Sequence, residues 1–222
     1  MQPFWRRWSA RGAAPAPAPP LPDGPLDAVP YVAFDLETTG LRPSRGDAIL
    51  QIGAVRWEAG RTTGTFSSLV RPHRAIPAAS TRYHGITDAM VADAPSPQAA
   101  VGAFRDFAAG AVLVAHNAAF DATALARAAE RGAPALPNPV LCSMVLAGSL
   151  DPREGDLSLD GLCGRAGIVI AGRHQALADA QATLLLWLAL LARASASGIA
   201  DLPELAARTR MAQRIAERAV HF

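Results

Sequence analysis

Asp35 and Glu37 stand two residues apart at the end of the apolar run Tyr31-Val32-Ala33-Phe34. In an extended chain such residues project to one side. Their charges repel, and both stay ionised only with something positive between them. A divalent cation meets that need. The segment Leu36-Glu37-Thr38-Thr39-Gly40 then turns the chain out of the strand, with Gly40 expected to relieve the backbone there. A third acid, Asp121, closes the segment His116-Asn117-Ala118-Ala119-Phe120-Asp121. Asn117 suits a helix N-cap and puts Asp121 one turn in, where the helix dipole favours a carboxylate. The last piece is His174-Gln175-Ala176-Leu177-Ala178-Asp179. Residues five apart do not share a helical face. His174 is therefore expected in the loop before the helix and Asp179 in its first turns, both directed at one site. Taken singly, each piece has a plainer explanation: a solvated turn, a dipole-stabilised acid, a loop histidine. Taken together they form an oxygen-donor set with an imidazole beside it.

The elements that must hold these groups follow from periodicity. Tyr31–Phe34 reads as a buried strand, Ala48–Trp57 as a second and Phe66–Val70 as a third after a turn around Gly60, an antiparallel meander. Gln98–Ala109 has helical spacing, and Val112–Val114 is a further short strand. Asn117–Arg131 is a helix ended by Gly132 and Pro134. Val140–Leu150 holds a strand and then a helix, Ser158–Ala166 a short helix, and Gln175–Ser197 a long apolar one. A last helix follows Pro203 and carries Arg208, Arg210, Arg214 and Arg218. A meander followed by alternation predicts an α/β domain with a mixed five-stranded sheet flanked by helices.

Composition sets the limits. Half of the 222 residues are hydrophobic and 18% are charged, which is globular. Residues 1–28 read as a Pro/Ala-rich basic tail, expected to be disordered; 29–200 as the domain; 201–222 as an Arg-rich helix. The net charge of +2 decides little, but every basic residue is Arg, which suits phosphate. The two cysteines, Cys142 and Cys163, make neither a disulfide framework nor a zinc site. The aromatic-basic start lacks the continuous apolar stretch of a secretory signal. The apolar run Leu184–Leu191 is too short to span a bilayer. No membrane partner and a cytoplasmic setting are expected.

The pieces 34–40, 116–121 and 174–179, with Tyr83-His84-Gly85-Ile86-Thr87 between the first two, resemble the DEDDh branch of the DEDD exonucleases over Tyr31–Leu190. The likeness is greatest to the epsilon proofreading subunits of bacterial DNA polymerase III. The resemblance implies a ribonuclease-H-like fold and 3′→5′ hydrolysis at nucleic-acid ends. It also implies two Mg²⁺ or Mn²⁺ ions held by Asp35, Glu37, Asp121 and Asp179, as hard cations on oxygen donors. Asp35 would bridge, Glu37 and Asp179 would serve the ion carrying the attacking water, and Asp121 the second ion. His174 would be the general base, since imidazole exchanges protons near neutral pH. Backbone groups at Thr38, Thr39 and Gly40, with Leu41, His84, Ile86, Asn117 and Phe120, would meet the substrate, Leu41 and Ile86 by stacking on the last bases. The expected partner is a single-stranded 3′ end, DNA in preference to RNA, in a proofreading or repair-like role beside a polymerase catalytic subunit or as an accessory enzyme. The alternatives are an exoribonuclease with the same five site residues and an inactive polymerase-associated scaffold.

Overall fold

The computed structural model describes residues 21–22 and 24–218, with side chains through Arg210. Most of the expected N-terminal tail, and the side chains of Arg214 and Arg218, lie outside the described residues. Five strands form one sheet in the order β3-β2-β1-β4-β5. They are β1 (Tyr31–Thr38), β2 (Ile49–Glu58), β3 (Arg61–Leu69), β4 (Val112–Ala115) and β5 (Val140–Cys142). β1 to β3 are antiparallel, and β4 and β5 run parallel to β1. The helices are α1 (Ala78–His84), α2 (Asp88–Val91), α3 (Pro97–Phe107), α4 (Ala118–Glu130), α5 (Ser143–Leu150), α6 (Leu159–Arg165), α7 (Ala176–Ala196) and α8 (Leu202–Arg218).

β1 lies at the centre, so both its faces need cover, and it is buried almost throughout, with its acids confined to the second half. Val32, Phe34 and Leu36 face one core layer with Phe104 of α3 and Leu125 of α4. Tyr31 and Ala33 face the opposite layer, where Trp187, Leu184 and Ala180 of α7 pack. The edge of the Trp187 ring meets Tyr31 at 5.7 Å between centroids. By length and composition α7 is apolar enough to cross a membrane, a point that the length of its apolar run did not reveal. Here Leu184, Leu186, Trp187 and Leu190 are buried in the core. That layer also takes Leu26 and Val29 before β1 and Leu202 and Leu205 of α8, so packing continues past both 29 and 200.

Three local features differ from the sequence expectation. β3 starts at Arg61, five residues earlier than Phe66, because its first half is exposed and polar. Cross-strand pairing with β2 holds it, through a two-residue turn with Ala59 and Gly60 both at positive φ. α1 buries no residue, so it carries no apolar period to read. Asn117 does sit at the head of α4, but at φ 62° and with no side-chain cap bond. It supplies a left-handed turn between β4 and α4, a conformation that Asn tolerates better than most residues.

Candidate metal centre

β1 delivers the first two acids. In the β1–β2 register Asp35 lies opposite Gly53 and Glu37 opposite Gln51, and the pairing shifts at a bulge between Glu37 and Thr38. Such bulges re-aim side chains where a strand leaves a ladder. α7 brings the third acid directly over them. A Cβ on Gly53 would lie 2.1 Å from the Leu177 backbone nitrogen, so only glycine lets the start of α7 rest on β2. The Gln51 side-chain carbonyl accepts from Ala176 N at 3.3 Å and fixes the approach. Carboxylate oxygens of Asp35, Glu37 and Asp179 consequently lie within 4.8 Å of one another.

Asp121 arrives from the other side of the sheet. α4 packs in the Phe34 layer, whereas Asp35 and Glu37 share the face covered by α7. Asp121 stands outside the group of three but close enough for its charge to act on Asp35. All four acids are held above their ordinary pKa. For Asp35 the cause is burial, then Asp121, Glu37 and Asp179. Glu37 is pushed up to about 7 by burial, then by Asp179. Burial leads for Asp121 and Asp179 as well. Buried like charges of this kind are relieved by a cation.

The residues fit a hard divalent ion. The donors are carboxylate oxygens, and Asp179 Oδ1 is buried with no hydrogen-bond partner, an acceptor left for something positive. The other oxygen of Asp179 is engaged. It accepts from His174 N at 3.2 Å and contacts Arg173 Nη1. Arg173 also grips Asp160 of α6 through Nε at 3.0 Å. The sequence expectations gave Arg173 no part in the site. The signal was a lone arginine next to His174 amid acidic segments.

His174 lies in the loop before α7, at φ 64°. Tyr83 covers its ring, with centroids 3.9 Å apart. His84 stands close by. Its Nδ1 accepts from Ile86 N at 3.0 Å. Burial lowers its pKa, with the Thr38 backbone opposing and His174 adding to the shift. A neutral, supporting imidazole follows from these surroundings. His116 Nδ1 bonds Ser143 Oγ at 2.9 Å. Burial pushes its pKa down to about 4.

The residues expected to meet the substrate have unequal exposure. Ile86 is buried beneath α1 and α2 with Leu50, Ile76 and Val91, so its side chain is not offered to bases. Leu41 is 69% exposed. The Thr39 N–H donates to Ala48 O, and its carbonyl accepts from Ser80 Oγ. Those backbone groups therefore brace the loop. Thr38 Oγ1 donates to Gly40 O at 2.6 Å. Gly40 is required by space and not by a positive φ: a Cβ there would meet Asp47 Oδ2 at 2.5 Å. Asn117 and Phe120 form the turn into α4, where Phe120 N donates to Asn117 O at 2.9 Å.

The model of the exonuclease (RNase_T) family matches residues 32–187. A DNA polymerase III subunit epsilon-like protein of Rhodobacter capsulatus is 46% identical over 183 residues, 81% of this chain and 26% of that protein. The PolC-type DNA polymerase III of Bacillus subtilis is 35% identical over 78% of this chain and 12% of that protein. The chain thus spans about a quarter or less of these relatives. Among solved structures, Exonuclease X in complex with 5′ overhanging duplex DNA superposes with a TM-score of 0.64. It is 29% identical and covers 81% of this chain and 99% of that one. Exonuclease I of E. coli, at 19% identity and a TM-score of 0.62, shares the fold.

Proposed function

This chain belongs to the exonuclease (RNase_T) family, and we propose on that footing that it is a 3′→5′ exonuclease acting on single-stranded DNA with two divalent cations, Mg²⁺ or Mn²⁺. The observation that carries the reading is the meeting of three carboxylates from β1 and α7 within 4.8 Å. Asp121 couples to that group and His174 borders it. Asp35, Glu37, Asp121 and Asp179 would hold the ions. When bound, such ions stabilise negative charge on the attacking and leaving oxygens of an in-line displacement.

The chain's own groups do the rest. His174 takes the proton of the attacking water at a ring nitrogen. Its positive φ and the Tyr83 ring fix the direction it presents. His84 stays neutral and braces the loop between Thr38 and His174. Leu41 wedges the last base from the rim. The relatives named for DNA polymerase III, and the DNA complex of Exonuclease X, support DNA as substrate. The proposed setting is the cytoplasm, in proofreading or repair, and co-purification with a polymerase catalytic subunit tests the first of these roles.

The deciding experiment digests matched single-stranded DNA and RNA, labelled at the 5′ end, with and without Mg²⁺ or Mn²⁺. A metal-dependent ladder of shortened, labelled DNA is expected. Faster loss of RNA would make the enzyme an exoribonuclease. No metal-dependent release from either would leave a binding or scaffold subunit.

A further inference from the structure

The topology that brings Asp35 and Glu37 to one end of the sheet brings a second feature there. β1 and β3 both finish at that end and β2 begins there. A cleft of about 370 Å³ lies alongside. Its walls include Asp47 before β2, Arg71 and His73 after β3, Gln98 at the start of α3, and Arg127 and Arg131 on α4.

The charge around this cleft is unbalanced. Arg74 pairs with Asp47 at 3.0 Å and Arg127 with Glu130 at 2.7 Å. Among the described residues, Arg71 and Arg131 form no ion pair with a carboxylate. Arg131 donates instead to the His73 ring, which leaves its charge unmatched. Burial, then Arg131 and Arg74, holds the His73 pKa below its ordinary value, so the ring acts as a neutral acceptor. Two guanidiniums beside a concavity suit a phosphodiester, which accepts paired donors from each.

The cleft is tied to the metal centre by loop 40–48. Asp47 accepts from Thr39 Oγ1 at 3.4 Å and from Arg42 N at 2.8 Å. Arg74 Nη1 also donates to Gly46 O at 3.3 Å. A strand leaving the acidic group therefore has a wall to follow, past exposed Leu41, toward Arg71 and Arg131. The cleft has the volume of a small-molecule pocket, room to seat a stretch of one phosphate backbone.

We propose that Arg71 and Arg131 bind phosphates of the single-stranded substrate upstream of its 3′ end, so that affinity grows with strand length. This rests on the exonuclease reading above. Such contacts position a strand without reading its sequence.

The test measures anisotropy of labelled oligothymidylates, one of about twenty nucleotides and one of four, with the full chain in EDTA over a salt series. Turnover of the p-nitrophenyl ester of thymidine 5′-monophosphate, with Mn²⁺, is read in parallel. R71Q/R131Q should bind the long strand about tenfold more weakly. Its salt slope should be shallower by roughly 1.4, at ~0.7 per phosphate contact. Binding of the four-nucleotide strand and ester turnover should not change. R71K/R131K should keep the slope, which separates lost charge from a damaged fold. The proposal is overturned by unchanged binding of the long strand, by equal loss on both lengths, or by no wild-type binding. Loss confined to a duplex with a 5′ overhang overturns it too, and assigns the cleft to the complementary strand. If the long strand binds through these arginines but nothing is hydrolysed, the cleft stands and the nuclease reading falls.

Discussion

Arg173 occupies, against Asp179, a place that a metal ion would also seek. It therefore both steadies the acid and competes for it. Arg173→Gln should lower stability in EDTA by about 1 kcal/mol, the order expected for a pair whose arginine is partly exposed, and the melting temperature with it. The same change should enlarge the rise in melting temperature produced by Mg²⁺. An arginine that only propped the loop would lower both states alike, and paired melts with EDTA and with Mg²⁺ distinguish the cases. His174 makes a different prediction. Its backbone N–H, not its ring, holds Asp179. His174→Ala should thus reduce kcat about 10²–10⁴-fold while the Mg²⁺-dependent rise in melting temperature survives. Full activity in that variant would remove the base assignment.

At the scale of elements, the centre depends on how closely α7 lies on β2. Gly53 is the contact, with no room for even a methyl group beside Leu177 N. Gly53→Ala should cost about 1–3 kcal/mol as an overpacked site. It should also reduce kcat, because Asp179 moves with the start of the helix. Denaturant midpoints and kcat measured on one preparation check both effects, and an unchanged kcat would show that α7 is not what sets Asp179. The bulge after Glu37 and the short β4 play complementary parts. One breaks the β1–β2 ladder just after Glu37, and the other leads into α4, which brings Asp121 in from the opposite layer.

Across the whole molecule, the fold gathers four acids from three separated segments and holds each above its ordinary pKa. The sign of the consequence is definite. An acid with a raised folded pKa binds its proton more tightly when folded. The stability that protonated Glu37 contributes is fully present below its unfolded value of 4.5 and is lost as pH rises through about 7. The loss is on the order of 3 kcal/mol for Glu37 alone, and the other three acids act in the same direction. His116, held down at about 4, opposes this only up to its unfolded value of 6.5. In EDTA the melting temperature should therefore fall between pH 6.5 and pH 8, and Glu37→Gln should flatten that fall. Mg²⁺ should stabilise more at pH 8 than at pH 5. A metal-free melting temperature that rose from pH 6.5 to pH 8 would contradict the electrostatics of the centre.

The chain's own order of residues pointed to the groups proposed for the chemistry and determined the type of element that holds each. An apolar run ending in Asp-x-Glu, an Asn before an acidic helix start and a His ahead of Ala-rich helix are local patterns, and local propensity is written in adjacent residues. The limits of α3, α4 and α7 were legible for that reason. The polar helix α1 and the polar first half of β3 were not, because neighbours and not their own periodicity hold them. Tertiary structure alone decided that Ile86 is core while Leu41 is rim, and that Thr39 spends its backbone on the loop. It also decided that Arg173 meets Asp179 and that Arg71 and Arg131 share a cleft. Arg71 and Arg131 come from segments far apart in the chain and meet through strand register and crossover, whereas Arg173 and Asp179 are only six residues apart and meet through the left-handed turn at His174 and the seat of α7 on Gly53.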